Sequence, residues 1–167
     1  GRGRFLMASA AAYPQINFIG LELCEEVIMQ ALQRYQELPP NIRILWLNAK
    51  MLDQVFAKGE VERIYLNFPD PWPKNRHAKR RLTHPNLLRV YDAILKNGGE
   101  IWQKTDNPRL FEFSLCSFSQ FGYTLYDITF DLHSTDFDNI MTEYERNFSE
   151  KGMNIYRCVA RKPVSGN

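Results

Sequence analysis

The stretch best suited to chemistry is residues 66–82, where an apolar strand runs through Asn67-Phe68-Pro69-Asp70-Pro71-Trp72-Pro73 into a dense basic run. Prolines at 69, 71 and 73 fix φ and remove backbone donors, so the turn is stiff and cannot continue a sheet. A stiff turn holds its side chains in place. Asp70, an acceptor-only group when ionised, can then take hydrogen bonds from the N1–H and N2–H₂ edge of a guanine. Trp72 can stack on a base or cap the core. Lys74, Arg76, His77, Lys79, Arg80 and Arg81 follow, five fixed positive charges within eight residues, with no acid among them. Such a run is ordinarily a solvated helix face; beside a candidate site and without interleaved acids, it reads better as a phosphate-binding element.

Other strand ends carry polar groups as well. Asp106, in Gln103-Lys104-Thr105-Asp106-Asn107, is either a second guanine-facing carboxylate or the N-cap of the helix that opens at Pro108. Gly1-Arg2-Gly3-Arg4 before a helix has the look of the second half of a glycine-rich nucleotide loop, against the alternative of a plain chain end. Glu22 closes the next strand about 20 residues on, where a carboxylate can accept from both hydroxyls of a ribose, or it can simply stabilise the start of the following helix. Asn48 and Ala49 follow another strand and can present an amide and backbone groups to an adenine edge, or form an ordinary turn. Asn67 joins Gly1, Gly3, Glu22, Asn48 and Ala49 on the cofactor side of the expected site. Thr142-Glu143-Tyr144-Glu145-Arg146 reads on its own as a surface helix.

The elements that must position these groups follow from apolar periodicity. Helices are expected over 4–13, 25–36, 51–57, 87–95 and 108–121, with Asn97-Gly98-Gly99 closing the fourth as a C-cap. Strands are expected over 16–21, 42–47, 61–68 and 100–104, with a final pair, 122–130 and 155–161, as an antiparallel edge hairpin. This alternation predicts an α/β fold with a doubly wound, mostly parallel sheet, whose ligands bind at the carboxyl ends of the strands. A glycine-rich turn at the first residue calls for a strand ahead of it, so the sheet's first strand is expected to be missing from this sequence.

At 167 residues with no linker or repeat, one domain over 1–167 is expected. Hydrophobic residues make up 44% and charged residues 24%, as in ordinary globular proteins. No apolar run is long enough to span a bilayer, and no signal peptide opens the sequence. Cys24, Cys116 and Cys158 are odd in number and contain no CxxC pair, which argues for a reducing, cytoplasmic setting and against a structural zinc.

With these residues in view, the sequence resembles the bacterial tRNA (guanine-N7)-methyltransferase family. The matching pieces are Gly1 to Phe5, Gly20-Leu21-Glu22, the 67–82 element, Lys104 to Asn107 and Thr142 to Glu145, in family order. It departs from the pattern at Asn75, where a basic residue is common, and in lacking the acidic residue and first glycine that normally precede the loop. The resemblance implies a Rossmann-like class I methyltransferase fold, S-adenosylmethionine as methyl donor without a metal, and the variable-loop guanine of tRNA as target, in a monomer or homodimer. It also implies catalytic-site roles for Asp70 and Asp106, tRNA-binding roles for the basic run, and substrate-site roles for Asp106, Thr142 and Glu145. Two rival readings are a non-catalytic RNA-binding subunit on a methyltransferase scaffold and a class I methyltransferase acting on a protein or small molecule.

Overall fold

The computed structural model describes residues 3–165. The chain forms two compact units, one built from the residues up to Ala49 together with Asp138–Asn147, the other from Lys50–Phe137 and the residues from Phe148 on.

In the first unit, helix α1 (Arg4–Ala12) leads into strand β1 (Phe18–Glu22), helix α2 (Glu25–Arg34) and strand β2 (Ile42–Trp46). β1 and β2 are parallel, with Glu22 opposite Trp46. Pro14 stops α1, and Asn41 staples the turn that follows: its Nδ2 donates to the carbonyls of Ala10, Tyr13 and Ile16. α2 opens on Glu25 and Glu26 and closes on Arg34, charges that complement its dipole. Arg34 also meets Glu143, at the start of helix α5 (Glu143–Glu150), at 2.9 Å.

The second unit holds strands β3 (Val61–Asn67), β4 (Leu95–Thr105), β5 (Thr124–Thr129) and β6 (Tyr156–Arg161) in the order β3-β4-β6-β5. β3 and β4 are parallel, and β6 runs antiparallel to both β4 and β5. The expected antiparallel pair therefore exists, with its second strand inserted between β4 and β5. Helices α3 (Pro85–Ile94) and α4 (Pro108–Phe121) bury Leu87, Leu88, Tyr91 and Ile94, and Leu110, Phe111, Ser114, Ser117 and Phe118, at the three-and-four spacing of one helical face. These pack with Ile101, Cys158 and Ala160, all without solvent exposure.

A polar chain runs through that core. Gln103 Nε2 donates to Ser114 Oγ at 2.9 Å, and the Ser114 hydroxyl lies 2.8 Å from that of Thr83. The Ser117 hydroxyl donates to the Thr83 carbonyl. Shared hydroxyls have directional partners that methyl groups lack, so they fix the seating of α4 on β4 and on the segment entering α3.

Two elements differ from expectation. The 51–57 helix is a short 3-10 helix, Ala49–Gln54. Asn97-Gly98-Gly99 does not cap α3, which stops at Ile94 with Leu95 already extended. Instead the register jumps from Val61↔Leu95 to Arg63↔Glu100, so residues 96–99 bulge out of β4. Gly98 turns there with φ 73°, and a Cβ on Gly99 would stand 2.8 Å from the Lys96 carbonyl oxygen and 3.2 Å from that of Glu62. The glycines serve a strand irregularity.

Candidate active site

In the second unit the carboxyl ends of β3 and β4 lie side by side, with Asn67 opposite Lys104. The Phe68 N–H donates to the Lys104 carbonyl at 2.8 Å, extending the ladder by one residue before the prolines end it. Phe68 and Trp72 both adopt left-handed backbone, φ 51° and 44°. For residues with a Cβ this conformation costs about 1–2 kcal/mol each, and such strain collects at functional loops. Between them Asp70 stands exposed.

The neighbouring strand β4 ends in Thr105, buried, and Asp106 follows it, half-buried. Asn107, not Asp106, caps α4: its Oδ1 accepts from the Leu110 N–H at 2.9 Å, and its own N–H donates to Thr105 Oγ1 at 3.1 Å. Pro108 at the first helical position fits that register. Asp106 is thus relieved of the capping duty that was its alternative reading.

The basic run forms a short 3-10 helix, Asn75–Arg80. Lys74, Arg76 and Lys79 are exposed, and among the described residues none of the three is in an ion pair. Arg80 lies over the Trp72 ring at 4.9 Å, and His77 meets that ring edge-on at 5.7 Å. Trp72 is half-buried, neither sealed into the core nor bare. Arg81 turns inward. Its Nε donates to the carbonyls of Pro71 and Trp72, both at 3.2 Å, and its Nη2 donates to that of Trp72 at 2.9 Å. A cleft of about 250 Å³ lies beside it, lined by Pro71, Pro73, Asn107 and Arg109 among others. The larger concavity of the first unit, about 430 Å³, is lined by apolar side chains with Arg43 as its one charge, and offers no reacting group.

In the first unit, Glu22 and Asn48 sit at the adjacent carboxyl ends of β1 and β2, where the Leu47 N–H donates to the Glu22 carbonyl. Glu22 Oε1 accepts from the N–H groups of Leu23 and Cys24 at 2.9 and 3.1 Å, which pins the carboxylate at the strand end. Ala49, half-buried, opens the following 3-10 helix. Gly3 is the N-cap of α1 with φ 81°, and a Cβ there would come within 3.3 Å of the Tyr35 ring. Gly1 lies outside the described residues.

Thr142 and Glu145 form a reciprocal cap on α5. Thr142 Oγ1 accepts from the Glu145 N–H at 2.9 Å, and Glu145 reaches back towards the Thr142 N–H at 3.5 Å while accepting from Asn139 Nδ2 at 2.7 Å. Glu145 has no solvent exposure. The Thr-x-x-Glu spacing announces this capping box, a signal that the surface-helix reading passed over. The clamping role of Arg81 and the cap at Asn107 were missed likewise, although Pro108 pointed to the latter.

A family profile described as "Putative methyltransferase" matches residues 1–158. The tRNA (guanine-N(7)-)-methyltransferase of Geobacillus sp. (strain WCH70) is 53% identical over 165 residues, 98% of this chain and 75% of that protein. The chain belongs to the tRNA (guanine-N(7)-)-methyltransferase family. A second member, from Listeria monocytogenes serotype 4a (strain HCC23), is 50% identical over 163 residues, covering 96% of this chain and 76% of its own length. Among solved structures, the 16S rRNA methyltransferase KamB superposes with a TM-score of 0.68 at 15% identity, over 99% of this chain and 85% of that one. A SAM-dependent methyltransferase from Archaeoglobus fulgidus gives 0.63 at 15% identity, over 97% and 82%. At such identity these two establish the fold, the mixed α/β methyltransferase architecture that this family shares.

Proposed function

We propose that this chain transfers a methyl group from S-adenosylmethionine to N7 of a guanine in the tRNA variable loop, with Asp70 and Asp106 as the catalytic-site carboxylates. The observation that carries the reading is their placement: two carboxylates on neighbouring strand ends, one in a proline-stiffened loop and one freed from capping, next to a basic segment. Curated relatives about half identical in sequence are named tRNA (guanine-N(7)-)-methyltransferase.

S-adenosylmethionine supplies an electrophilic methyl group on a sulfonium. The residues of the first unit fit such a ligand. Left-handed Gly3 brings bare backbone to the start of α1, and the pinned Glu22 carboxylate offers acceptors to ribose hydroxyls. Asn48 and Ala49 complete the proposed cofactor set of that unit, with Asn67 and Gly1 assigned to the cofactor from sequence alone.

The nucleophile is the in-plane lone pair of guanine N7, which bears no proton. The site therefore needs no strong general base; its work is alignment, and stabilisation of the purine as it becomes cationic. Asp70 and Asp106 suit both tasks by gripping the Watson–Crick edge and placing negative charge near the ring. Lys74, Arg76, His77, Lys79 and Arg80 would take phosphates, while the target base must be exposed or flipped from the tRNA fold to reach the pocket. Thr142 and Glu145 are proposed as further substrate-side positions. The two units would serve one methyltransferase domain, working where tRNA is, in the cytoplasm. Among the described residues no helix is long and apolar enough to cross a membrane.

Bulk tRNA incubated with radiolabelled S-adenosylmethionine, followed by nucleoside analysis, tests the reading. Label in 7-methylguanosine is expected. Asp70→Ala should lower kcat by about 10²-fold or more while S-adenosylmethionine still binds. Label elsewhere, or an Asp70→Ala variant with unchanged turnover, would overturn it.

A further inference from the structure

Within the basic run, one arginine is half-buried and has its guanidinium engaged by backbone carbonyls. The loop 68–73 is stiff but poor in backbone hydrogen bonds: three of its residues are prolines without an N–H, two others hold left-handed backbone, and the ladder stops at Phe68. The carbonyls of Pro71 and Trp72 have no strand partner among the described residues, and both accept from the Arg81 guanidinium. The same guanidinium lies over the Phe113 ring, its Cζ 4.6 Å from the centroid, on α4. α4 begins two residues after Asp106 and is capped by Asn107. A single planar cation thus joins the loop that bears Asp70 to the helix that starts beside Asp106.

From this geometry we infer that Arg81 is a positioning residue for methyl transfer, holding the 68–73 loop so that Asp70 and Asp106 keep a fixed separation, and is not one of the tRNA phosphate ligands. Arginine is required for the task. Its fork reaches two successive carbonyls while its face packs on an aromatic ring, whereas a lysine ammonium is a point charge that satisfies one carbonyl and does not stack. Displacing a reacting group by about 1 Å can cost on the order of 10²-fold in rate, so a loosened loop is read in kcat.

The inference rests on the reading of Asp70 given above, and the test separates the two. Wild type, Arg81→Lys, Lys79→Ala and Asp70→Ala are assayed together for 7-methylguanosine formation, KM for tRNA, its salt dependence and S-adenosylmethionine affinity. Arg81→Lys is expected to lower kcat by about 10- to 100-fold, with KM for tRNA and its salt slope within error of wild type. Lys79→Ala should do the reverse, raising KM and flattening the slope. An Arg81→Lys variant at full kcat, or one whose loss lies in KM with a reduced salt slope, overturns the inference. An inactive Asp70→Ala beside a fully active Arg81→Lys removes only the role given to Arg81; a fully active Asp70→Ala removes the reading of Asp70 itself. Should Arg81→Lys fail to bind S-adenosylmethionine, its fold is compromised. Arg81→Gln, which can still donate to one carbonyl, then replaces it, with a kcat loss at unchanged tRNA KM expected and unchanged kcat overturning the inference.

Discussion

His84 caps α3 through its ring: Nδ1 accepts from the Asn86 N–H at 3.1 Å, which only the imidazole with a lone pair on that nitrogen can do. Burial, and then the charges of Lys79, Arg89 and Arg81, hold its pKa below the ordinary 6.5. The folded state thus favours the neutral ring. The stability so contributed is fully present above pH 6.5 and is lost as pH falls through the lower folded value. Urea unfolding should show stability declining as pH drops below 6.5, and His84→Asn, which keeps a capping acceptor at every pH, should remove that share of the decline; an unchanged slope would refute the assignment. Residue types told much at this scale. Glu22 ends β1, and Asp106 and Asp70 follow β4 and β3, one and three residues past their ends. Which neighbour does which job was harder to read, because adjacent polar residues compete for one role: Asn107 took the cap from Asp106, and Arg81 turned to the carbonyls that three prolines left without a ladder.

At the scale of elements, apolar spacing located the helices and strands well, since burial on one face leaves a period that local propensity seldom hides. α4 occupies 108–121, as its pattern and its Pro108 and Gly122 signals demand. Glycine pairs are less legible. Asn97-Gly98-Gly99 announces a positive φ and a close approach, but a helix end and a strand bulge both need these. Gly99 is the sharper test of the bulge, because a methyl group there meets two backbone carbonyls. Gly99→Ala is expected to destabilise the fold by about 1–3 kcal/mol, the usual cost of overpacking, as read by urea denaturation. A change below about 0.5 kcal/mol, typical of surface substitutions, would mean the bulge yields freely.

On the scale of the whole molecule, a formal net charge of +2 says little, while its concentration between Lys74 and Arg81 says more. With Arg81 assigned to the loop and Arg80, also exposed, lying on Trp72, the exposed cations of that stretch with neither an ion-pair nor a ring partner among the described residues are Lys74, Arg76 and Lys79. Replacing all three with alanine should weaken tRNA binding and reduce the magnitude of the log–log salt slope by about 2–3, close to one for each phosphate no longer neutralised, without altering S-adenosylmethionine affinity. Binding measured across a salt series decides it, and an unchanged slope would remove the phosphate role. The division into two units was not legible beforehand, because no change of composition marks Ala49 or Phe137. Boundaries set by which strands share hydrogen bonds leave no trace in residue type.

The strand order β3-β4-β6-β5 carries a consequence for how the molecule is made. Among the described residues β5 has β6 as its one sheet partner, and β6 comes last of the strands along the sequence. β5 is therefore synthesised with both edges open and stays so until a strand more than twenty-five residues further along threads in beside it. Pairing across such sequence separation is slow to nucleate, so the β3–β4 ends that carry Asp70 and Asp106 can pair well before the far side of their own sheet is closed.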